Sequence, residues 1–396
     1  MTPRSFLCLL LICATGPLFT GCSSLTGALP GGGGGPHGVA NIGPVYPGIA
    51  SYVVADANDG KVILSFQADQ RRSVASLTKI ATVVVVLDYL RNSKGNPDEM
   101  LTVPPSVLGL GVPSSLGLQP GDALSVRDAV YACMMGSDNW AAEALGTHFG
   151  GRLAQAGMGA NPLQAFVNQM NGLRTRLQLT NTRFANPHGL DLPNASGYSC
   201  ASDIARLFCH AITIPGFTYY SSQRERRISY VRNGATQSAV VRNTNEIIGT
   251  NRIDAGKTGT TNLAGPCLAV TAPKPATVIK RPDGSTLVIP HRLVVVTLGA
   301  QDRFGATVRL LRDGWTGYDA WRGAGSPAQN QSEFLGARPG SGGAAPAPSN
   351  PPPPVPAAPA PRPLPPPVMD ADYMPLPPPV YAPASGGYTP VPRYVQ

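Results

Sequence analysis

An almost unbroken apolar run at residues 80–87 constrains the fold of this chain more than any other stretch. In a helix that begins at Ser76, four apolar residues of this run would lie on one face and pack in a core: Ile80, Val83, Val84 and Leu87. Ser76 would then lie at the N-terminal end of the helix, where backbone N–H groups have no partner within the helix. The sequence predicts a core helix with a hydroxyl at its first turn.

Ser76 and Lys79 are three residues apart and therefore face the same side of that helix. A serine becomes a nucleophile when a neighbouring base takes its proton, and an uncharged lysine is such a base where its surroundings lower its pKa. The pair is thus a candidate for acyl transfer. In the alternative interpretation, Ser76 only caps the helix and Lys79 is a solvated charge of the first turn.

Two further motifs favour the catalytic interpretation. Ser-Asp-Asn at 137–139 follows about 60 residues after Ser76, and Lys-Thr-Gly-Thr at 257–260 follows about 120 residues later. Each occurs once in the chain. The order of the three motifs resembles that of penicillin-binding proteins and β-lactamases.

Composition indicates how many folded units to expect. More than half of the 42 prolines among the 396 residues lie after Gly323, so one globular unit of fewer than about 300 residues is expected. The net charge is +9, but Lys and Arg form no runs of the kind that follow a phosphate backbone, and nucleic acid is not expected as a partner. A mild positive field suits anionic material of the cell envelope.

The N-terminus has the pattern of an export signal. Arg4 precedes an apolar run at 6–12 that is too short to span a bilayer, and Phe-Thr-Gly-Cys at 19–22 stands where a cleavage site belongs. This resembles a bacterial lipoprotein signal, which implies removal of residues 1–21 and membrane attachment through a lipidated Cys22. Because serine follows Cys22, the resemblance implies the outer membrane if the cell is Gram-negative. The alternative is an ordinary signal peptide in which Cys22 is incidental.

Residues 22–45 are Gly-rich and polar, which predicts a flexible tether. Four cysteines remain beyond the tether: Cys133, Cys200, Cys209 and Cys267. Their spacing gives no disulfide connectivity and does not match zinc ligands, so we expect buried free thiols. No metal and no cofactor is predicted.

The coarse secondary structure places a helical half between two β segments. Residues 51–56 and 61–66 alternate apolar and polar around Asn-Asp-Gly at 58–60, which predicts a hairpin, and residues 101–124 are expected to be irregular with short strands. Further helices are predicted at 125–136, 140–148, 166–177, 199–212 and 304–321, and strands at 227–232, 238–242, 267–271 and 293–299, with a long hairpin excursion at 273–290. The predicted fold class is α+β.

Residues 323–396 form a Pro/Ala/Gly tail with polyproline runs at 351–354 and 365–367. Such a composition does not form a packed core. We expect a solvated spacer or a wall-penetrating extension. The alternative is a segment that binds the aromatic groove of an unknown partner.

With these residues in view, residues 46–322 resemble the D-alanyl-D-alanine carboxypeptidase family, the low-molecular-mass penicillin-binding proteins. Beyond the three motifs, the resemblance rests on Ser-Tyr-Val-Val at 51–54 with its turn, Phe-Val-Asn and Met-Asn at 166–171, Phe-Ala-Asn-Pro-His-Gly-Leu-Asp at 184–191, Ser-Cys-Ala-Ser-Asp at 199–203 and Asn-Thr-Asn at 243–245. It implies the DD-peptidase/β-lactamase-like fold, an antiparallel sheet flanked by helices with an inserted, mostly helical subdomain.

The chain departs from the family pattern in three respects. The middle motif is Ser-Asp-Asn, where the family more often has Gly between, and is therefore also similar to that of class A β-lactamases. The C-terminal β domain and membrane-seeking helix usual in the family are replaced by the proline tail. Attachment to the membrane would therefore be through Cys22 instead of a C-terminal helix.

The resemblance implies how the motifs share the chemistry. Lys79 takes the proton of Ser76, which attacks the carbonyl between two terminal D-alanines of a peptidoglycan stem peptide. Backbone N–H groups of Ser76 and Thr260 hold the developing oxyanion. Ser137 relays a proton to the departing amine, and Asn139 holds the substrate amide.

Four further residues would bind or orient the substrate. Lys257 supplies positive charge, which is expected to keep Lys79 neutral by repulsion. Thr258 and Arg303 are candidates for the terminal carboxylate, although Arg303 could instead be a solvated helix-start residue. His188 could position the deacylating water, or be a structural histidine of a tight loop.

Three other functions compete with a carboxypeptidase, for which peptidoglycan stem peptides are substrates and β-lactams covalent inhibitors. A class A β-lactamase needs a Glu to activate water, and residues 161–192 contain none. A DD-endopeptidase that cuts peptidoglycan cross-links uses the same residues and stays open. A non-catalytic wall-binding lipoprotein would lack a catalytic residue, and none is missing.

Overall fold

The computed structural model describes residues 38–159, 161–193, 196–327 and 330–336. The chain divides into two units, Met1–Ser349 and Asn350–Gln396, and the second lies wholly outside the described residues. The predicted signal peptide, Cys22 and the tail from residue 337 onward also lie outside them.

The described residues form nine strands and seven α-helices. The strands are β1 (Ile49–Asp56), β2 (Val62–Phe66), β3 (Met100–Thr102), β4 (Ala123–Ser125), β5 (Glu225–Arg232), β6 (Ala235–Arg242), β7 (Ala255–Thr261), β8 (Gly265–Lys280) and β9 (Thr286–Ala300). The helices are α1 (Lys79–Ser93), α2 (Val126–Met134), α3 (Asn139–Gln155), α4 (Pro162–Arg176), α5 (Ala201–Ala211), α6 (Tyr219–Ser222) and α7 (Arg303–Gly323).

The main sheet is antiparallel and has the order β2-β1-β9-β8-β7, so the chain's first and last strands meet at its centre. Successive residues of a strand point to opposite faces. On β1, Val53 packs in the core shared with the helical half, and Val54 packs in a second core under α7. A β-carbon at Gly314 would lie 2.6 Å from Val54 Cγ1, so glycine lets α7 approach β1 closely.

Helices α1 to α6 lie between β2 and β7 in the sequence, together with a small sheet of order β3-β4-β5-β6. Helix α1 is buried along most of its length because almost every residue from Ile80 to Leu90 packs against a neighbour. Both the predicted α+β class and the inserted helical half are confirmed.

Several predicted boundaries differ from the structure. The core helix does not open directly at Ser76: a 3-10 turn at Ala75–Thr78 precedes α1. Helix α4 begins at Pro162 rather than at Phe166, because Asn161 caps it by accepting from Gln164 N at 2.9 Å and proline suits the first helical position. Helix α3 continues to Gln155 rather than ending at His148.

One strand of the main sheet was missed by the sequence analysis. Strand β7 was not recognised, because its sequence of Gly, Thr and Lys has no apolar alternation; it forms through pairing with β8. The long hairpin excursion predicted at 273–290 is confirmed: β8 and β9 continue through it and pair out to Lys280 and Thr286, with one register shift between Lys274 and Thr277.

The described part of the predicted tether packs on the domain. Ala40 N donates to Ser332 O at 3.0 Å, and Ile42 N donates to Ser65 O at 2.9 Å. Ala40 precedes the predicted 46–322 domain and Ser332 follows it, so residues on either side of that domain contact each other in the first unit.

All four cysteines of the described chain are free, and Cys133, Cys200 and Cys267 are buried, as expected. Among the described helices, none is long and apolar enough to cross a membrane.

Candidate active site

Ser76 lies in the 3-10 turn, where the preceding Ala75 has a left-handed φ of 48°. Strand β7 runs close to this turn: a β-carbon at Gly259 would lie 3.0 Å from Ser76 N and 3.0 Å from Val74 O. Glycine at 259 therefore allows the strand to approach the half-buried serine.

Lys79, at the start of α1, has no exposed surface and donates from Nζ to three oxygens. These are Ser76 Oγ at 2.7 Å, Asn139 Oδ1 at 2.7 Å and His188 O at 2.8 Å. Burial lowers the pKa of Lys79 to about 8, against the opposing charges of Cys133 and Asp138. About a tenth of the amine is therefore uncharged at pH 7, far more than for a solvated lysine.

The turn that carries Ser137 and Asn139 is fixed by Asp138. Asp138 Oδ1 caps α3 by accepting from Ala141 N at 2.8 Å, and its Oδ2 accepts from the Ser115 backbone N at 2.7 Å. Ser137 has a left-handed φ of 56°, which costs energy for a residue with a side chain and is typical of functional sites.

Strand β7 lies beside the turn of Ser76 and carries the third motif. Lys257 is 1% exposed and donates from Nζ to Thr258 O at 2.8 Å. The Thr258 hydroxyl lies 2.5 Å from that of Thr244. Thr260 is exposed and accepts from Arg303 at 2.8 Å, so the guanidinium at the first position of α7 contacts β7.

Burial is the first cause of the low pKa of both lysines. It lowers the pKa of Lys79 to about 8 and that of Lys257 well below its usual value. Repulsion from Lys79 and from Arg303 lowers the pKa of Lys257 further. The expected contribution of Lys257 to the low pKa of Lys79 stays a prediction.

His188 is 1% exposed, and its ring faces away from solvent. Nδ1 accepts from Leu190 N at 3.1 Å, and Nε2 lies 3.7 Å from Glu143 Oε2. Burial and the Lys79 charge lower the pKa of His188 to about 3, so the ring is neutral at physiological pH. These contacts favour the structural alternative for the ring, while the main-chain oxygen contacts Lys79.

The family model for D-alanyl-D-alanine carboxypeptidases matches residues 48–279. The chain belongs to this family. It is a serine peptidase, as the sequence motifs predicted.

Among its relatives is the D-alanyl-D-alanine endopeptidase of Pseudomonas aeruginosa, which is 34% identical over 66% of this chain and 76% of its own. The D-alanyl-D-alanine carboxypeptidase DacA of Haemophilus influenzae is 29% identical over 72% of this chain and 67% of its own. The crystal structure of penicillin-binding protein 6B from Escherichia coli covers 71% of this chain and 81% of its own, with 28% identity and a TM-score of 0.52.

Sequence reasoning missed three residues around the site of this carboxypeptidase-family domain: Asp138, Thr244 and Glu143. Asp138 was noticed only as the middle of a motif, and Thr244 only as part of a family match. Glu143 lies four residues after Asn139 on α3, so helical spacing alone could have placed it on the same face. Its contact with the loop of His188 depends on how α3 packs and has no local signal.

Proposed function

We propose that this chain is a D-Ala-D-Ala carboxypeptidase that removes the terminal D-alanine from peptidoglycan stem pentapeptides through an acyl-enzyme on Ser76. The observation that carries the proposal is the 2.7 Å contact between Ser76 Oγ and the buried Lys79 Nζ. In this geometry an uncharged lysine is within reach of the serine proton.

The two other contacts of Lys79 support a base rather than a solvated charge. An uncharged amine has two N–H bonds and one lone pair. When the N–H bonds point to Asn139 Oδ1 and His188 O, the lone pair is left to face Ser76 Oγ. Two fixed acceptors thus aim the base at the nucleophile.

In the acylation step, Ser76 Oγ bonds to the carbonyl carbon of the D-Ala-D-Ala bond while its proton passes to Lys79. The N–H groups of Ser76 and Thr260 hold the oxyanion. The C–N bond breaks as Ser137 donates its proton to the amine and takes up the proton held by Lys79, which releases D-alanine, leaves an ester on Ser76 and returns Lys79 to its uncharged form. A water molecule then attacks the ester, and its proton returns to Ser76 Oγ through Lys79.

The terminal carboxylate of the substrate would lie between β7 and the start of α7. Lys257 and Arg303 supply positive charge there, and Thr258 and Thr260 supply hydroxyl donors. Support comes from the hydrogen bond between Arg303 and Thr260. Asn139 would contact the substrate amide through the atoms that Lys79 does not occupy.

Labelling with a fluorescent penicillin tests the nucleophile, because a β-lactam imitates the D-Ala-D-Ala amide and residues 161–192 contain no deacylating Glu. Wild type should form a stable adduct and release D-alanine from a muramyl pentapeptide, whereas Ser76→Ala should do neither. Equal labelling of the two proteins would remove Ser76 from the mechanism.

Cleavage of cross-links is the second candidate, favoured by the 34% identity to an enzyme named as an endopeptidase. Purified enzyme should therefore also be given cross-linked peptide dimers. If dimers are cut and the pentapeptide is left intact, the endopeptidase assignment replaces the carboxypeptidase.

We further propose export and anchorage through a lipid on Cys22, with residues 1–21 as the signal. A spacer role is proposed for the predicted tail at 323–396 only beyond Leu335, because Leu335 is buried in the domain core. The motif at 19–22 and the Gly-rich stretch behind it support export and anchorage. Cys22→Ser should free the protein from the membrane fraction of cells. A variant that sediments with membranes as before would point to another anchor.

A further inference from the structure

Glu143 is a buried carboxyl group with no role in the chemistry described so far. Glu143 is 3% exposed, and burial raises the pKa of its carboxyl group. Oε1 accepts from Ser106 Oγ at 2.9 Å, and Oε2 lies 3.7 Å from His188 Nε2. Burying a carboxyl costs several kcal/mol unless its partners compensate, so an apolar residue would be expected here on stability alone.

The tautomer of His188 explains why an acceptor is needed at this point. Because Nδ1 accepts from Leu190 N, the neutral ring carries its proton on Nε2, which faces Glu143. The Nε2–H group is buried and requires an acceptor. Glu143 Oε2, on the neighbouring helix, lies 3.7 Å from Nε2, so the two groups interact as a charge and a dipole rather than through a direct hydrogen bond.

The contact joins the two elements that orient Lys79. Asn139 begins α3 and supplies one acceptor to Lys79 Nζ, and Glu143 lies one helical turn further along the same helix. His188 supplies the other acceptor through its main-chain oxygen. A change in the separation of α3 and the His188 loop would therefore move the two acceptors relative to each other.

The loop is already tightly held on its other sides. Thr82 Oγ1 donates to Pro187 O at 2.5 Å, and Asp191 accepts from Ser73 Oγ at 2.8 Å. Gly189 has a φ of 80°, and a β-carbon there would lie 2.1 Å from Ala75 O. Toward α3, the His188 ring and Glu143 add a polar contact at 3.7 Å, which is longer than a hydrogen bond.

We propose that Glu143 is a positioning residue for the acyl-transfer reaction: through His188 it holds the two acceptors of Lys79 in register, so that the lysine lone pair faces Ser76. This inference rests on the role proposed above for Lys79. Glu143 does not touch the reacting atoms.

The test compares Glu143→Leu with Glu143→Gln in the full chain. Leucine removes the acceptor for His188 and also the buried charge, so its thermal midpoint should change little while the rate constant of penicillin acylation falls. The expected fall is about 10- to 100-fold, the effect of a small misplacement of a reacting group. Glutamine keeps an amide oxygen opposite Nε2–H and should restore the rate to within about threefold of wild type.

Ser106→Ala is the matched control, because it removes the other polar partner of Glu143 without touching His188. It should acylate at the wild-type rate. His188→Gln keeps the main-chain oxygen that contacts Lys79, and it should reproduce the loss of Glu143→Leu. The double variant of Glu143→Leu and His188→Gln should lose no more of the acylation rate than either of these single variants.

Two results would overturn the inference. One is wild-type acylation by Glu143→Leu; the other is an equal loss of rate in the leucine and glutamine variants that tracks a lower thermal midpoint. A wild-type protein that penicillin does not label would instead defeat the proposed function itself. The two failures are therefore distinguishable. If Glu143→Leu does not fold, His188→Gln carries the test, and wild-type acylation by that variant overturns the inference.

Discussion

Helix α1 and strand β7, here called the helical wall and the strand wall of the site, each carry one buried lysine, and the two lysines are held in different ways. Lys79, on the helical wall, meets a hydroxyl, an amide oxygen and a carbonyl oxygen. Lys257, on the strand wall, donates to the carbonyl oxygen of its neighbour Thr258. The helical wall is arranged around the nucleophile, whereas the strand wall combines Lys257 with the guanidinium of Arg303 and two hydroxyl groups.

This difference teaches that similar burial does not give similar chemistry. Each lysine loses solvation, which lowers both pKa values. The acceptors of Lys79 belong to three separate elements and aim its nitrogen at Ser76, so its substitution should affect the chemical step. Lys257 shares the strand wall with the guanidinium of Arg303, which contacts β7 at Thr260 and Gly259, so its substitution should affect recognition of the substrate carboxylate.

The largest effect is expected from Lys79→Ala, which removes the base from the helical wall. A nucleophile loses most of its activity without its base, so penicillin acylation should fall by about 10³-fold or more. Stopped-flow or gel-based labelling measures the rate. Lys94→Asn, at the exposed end of α1, is the control and should be unchanged. If Lys79→Ala acylates at a tenth of the wild-type rate or faster, Lys79 is not the base, and the difference in role between the two lysines does not hold.

The pH dependence of acylation should follow Lys79. Only the uncharged amine accepts the serine proton, and its pKa is about 8, so the rate should rise with pH and level off above that value. The fraction of neutral amine increases about 50-fold between pH 6 and pH 8. His188, with a pKa of about 3, does not titrate in this range. A flat profile from pH 6 to 9 would assign the proton transfer to another group.

Lys257→Ala sharpens the comparison by separating recognition from chemistry. In wild type, replacing the terminal carboxylate of the pentapeptide by an amide should lower kcat/KM by about 20-fold, the range of one charged hydrogen bond. In Lys257→Ala the same replacement of the carboxylate by an amide should lower kcat/KM much less. Equal penalties in both enzymes would mean that Lys257 does not serve the carboxylate and acts only in proton chemistry.

The smallest effect is expected from Arg303→Ala. The guanidinium is half-buried and shares the strand wall with Lys257, so its loss should raise KM for the pentapeptide about fivefold and leave kcat nearly unchanged. Arg309→Ala, exposed on the same helix, is the control. A loss confined to kcat would move Arg303 from substrate binding to catalysis.

Much of the site was predictable because its motifs are local. The spacing of Ser76 and Lys79 on one helix face, the cap that Ser125 provides for α2 and the apolar face of α1 are all properties of a few consecutive residues. Strand β7 was not predictable in this way, because its Gly and Thr residues carry no strand pattern of their own. Its place is set by pairing with β8 and by the close approach that Gly259 allows.

The sequence by itself determined which groups are available: a serine and a lysine one helical turn apart, a second serine in a tight turn and a second lysine before Thr-Gly. Only the tertiary structure decided how those groups act. Burial sets the pKa of Lys79, and the packing of α3 against the His188 loop brings Glu143 to within 3.7 Å of the ring. Desolvation and approach between elements depend on residues far apart in the chain, and local periodicity holds no information about either.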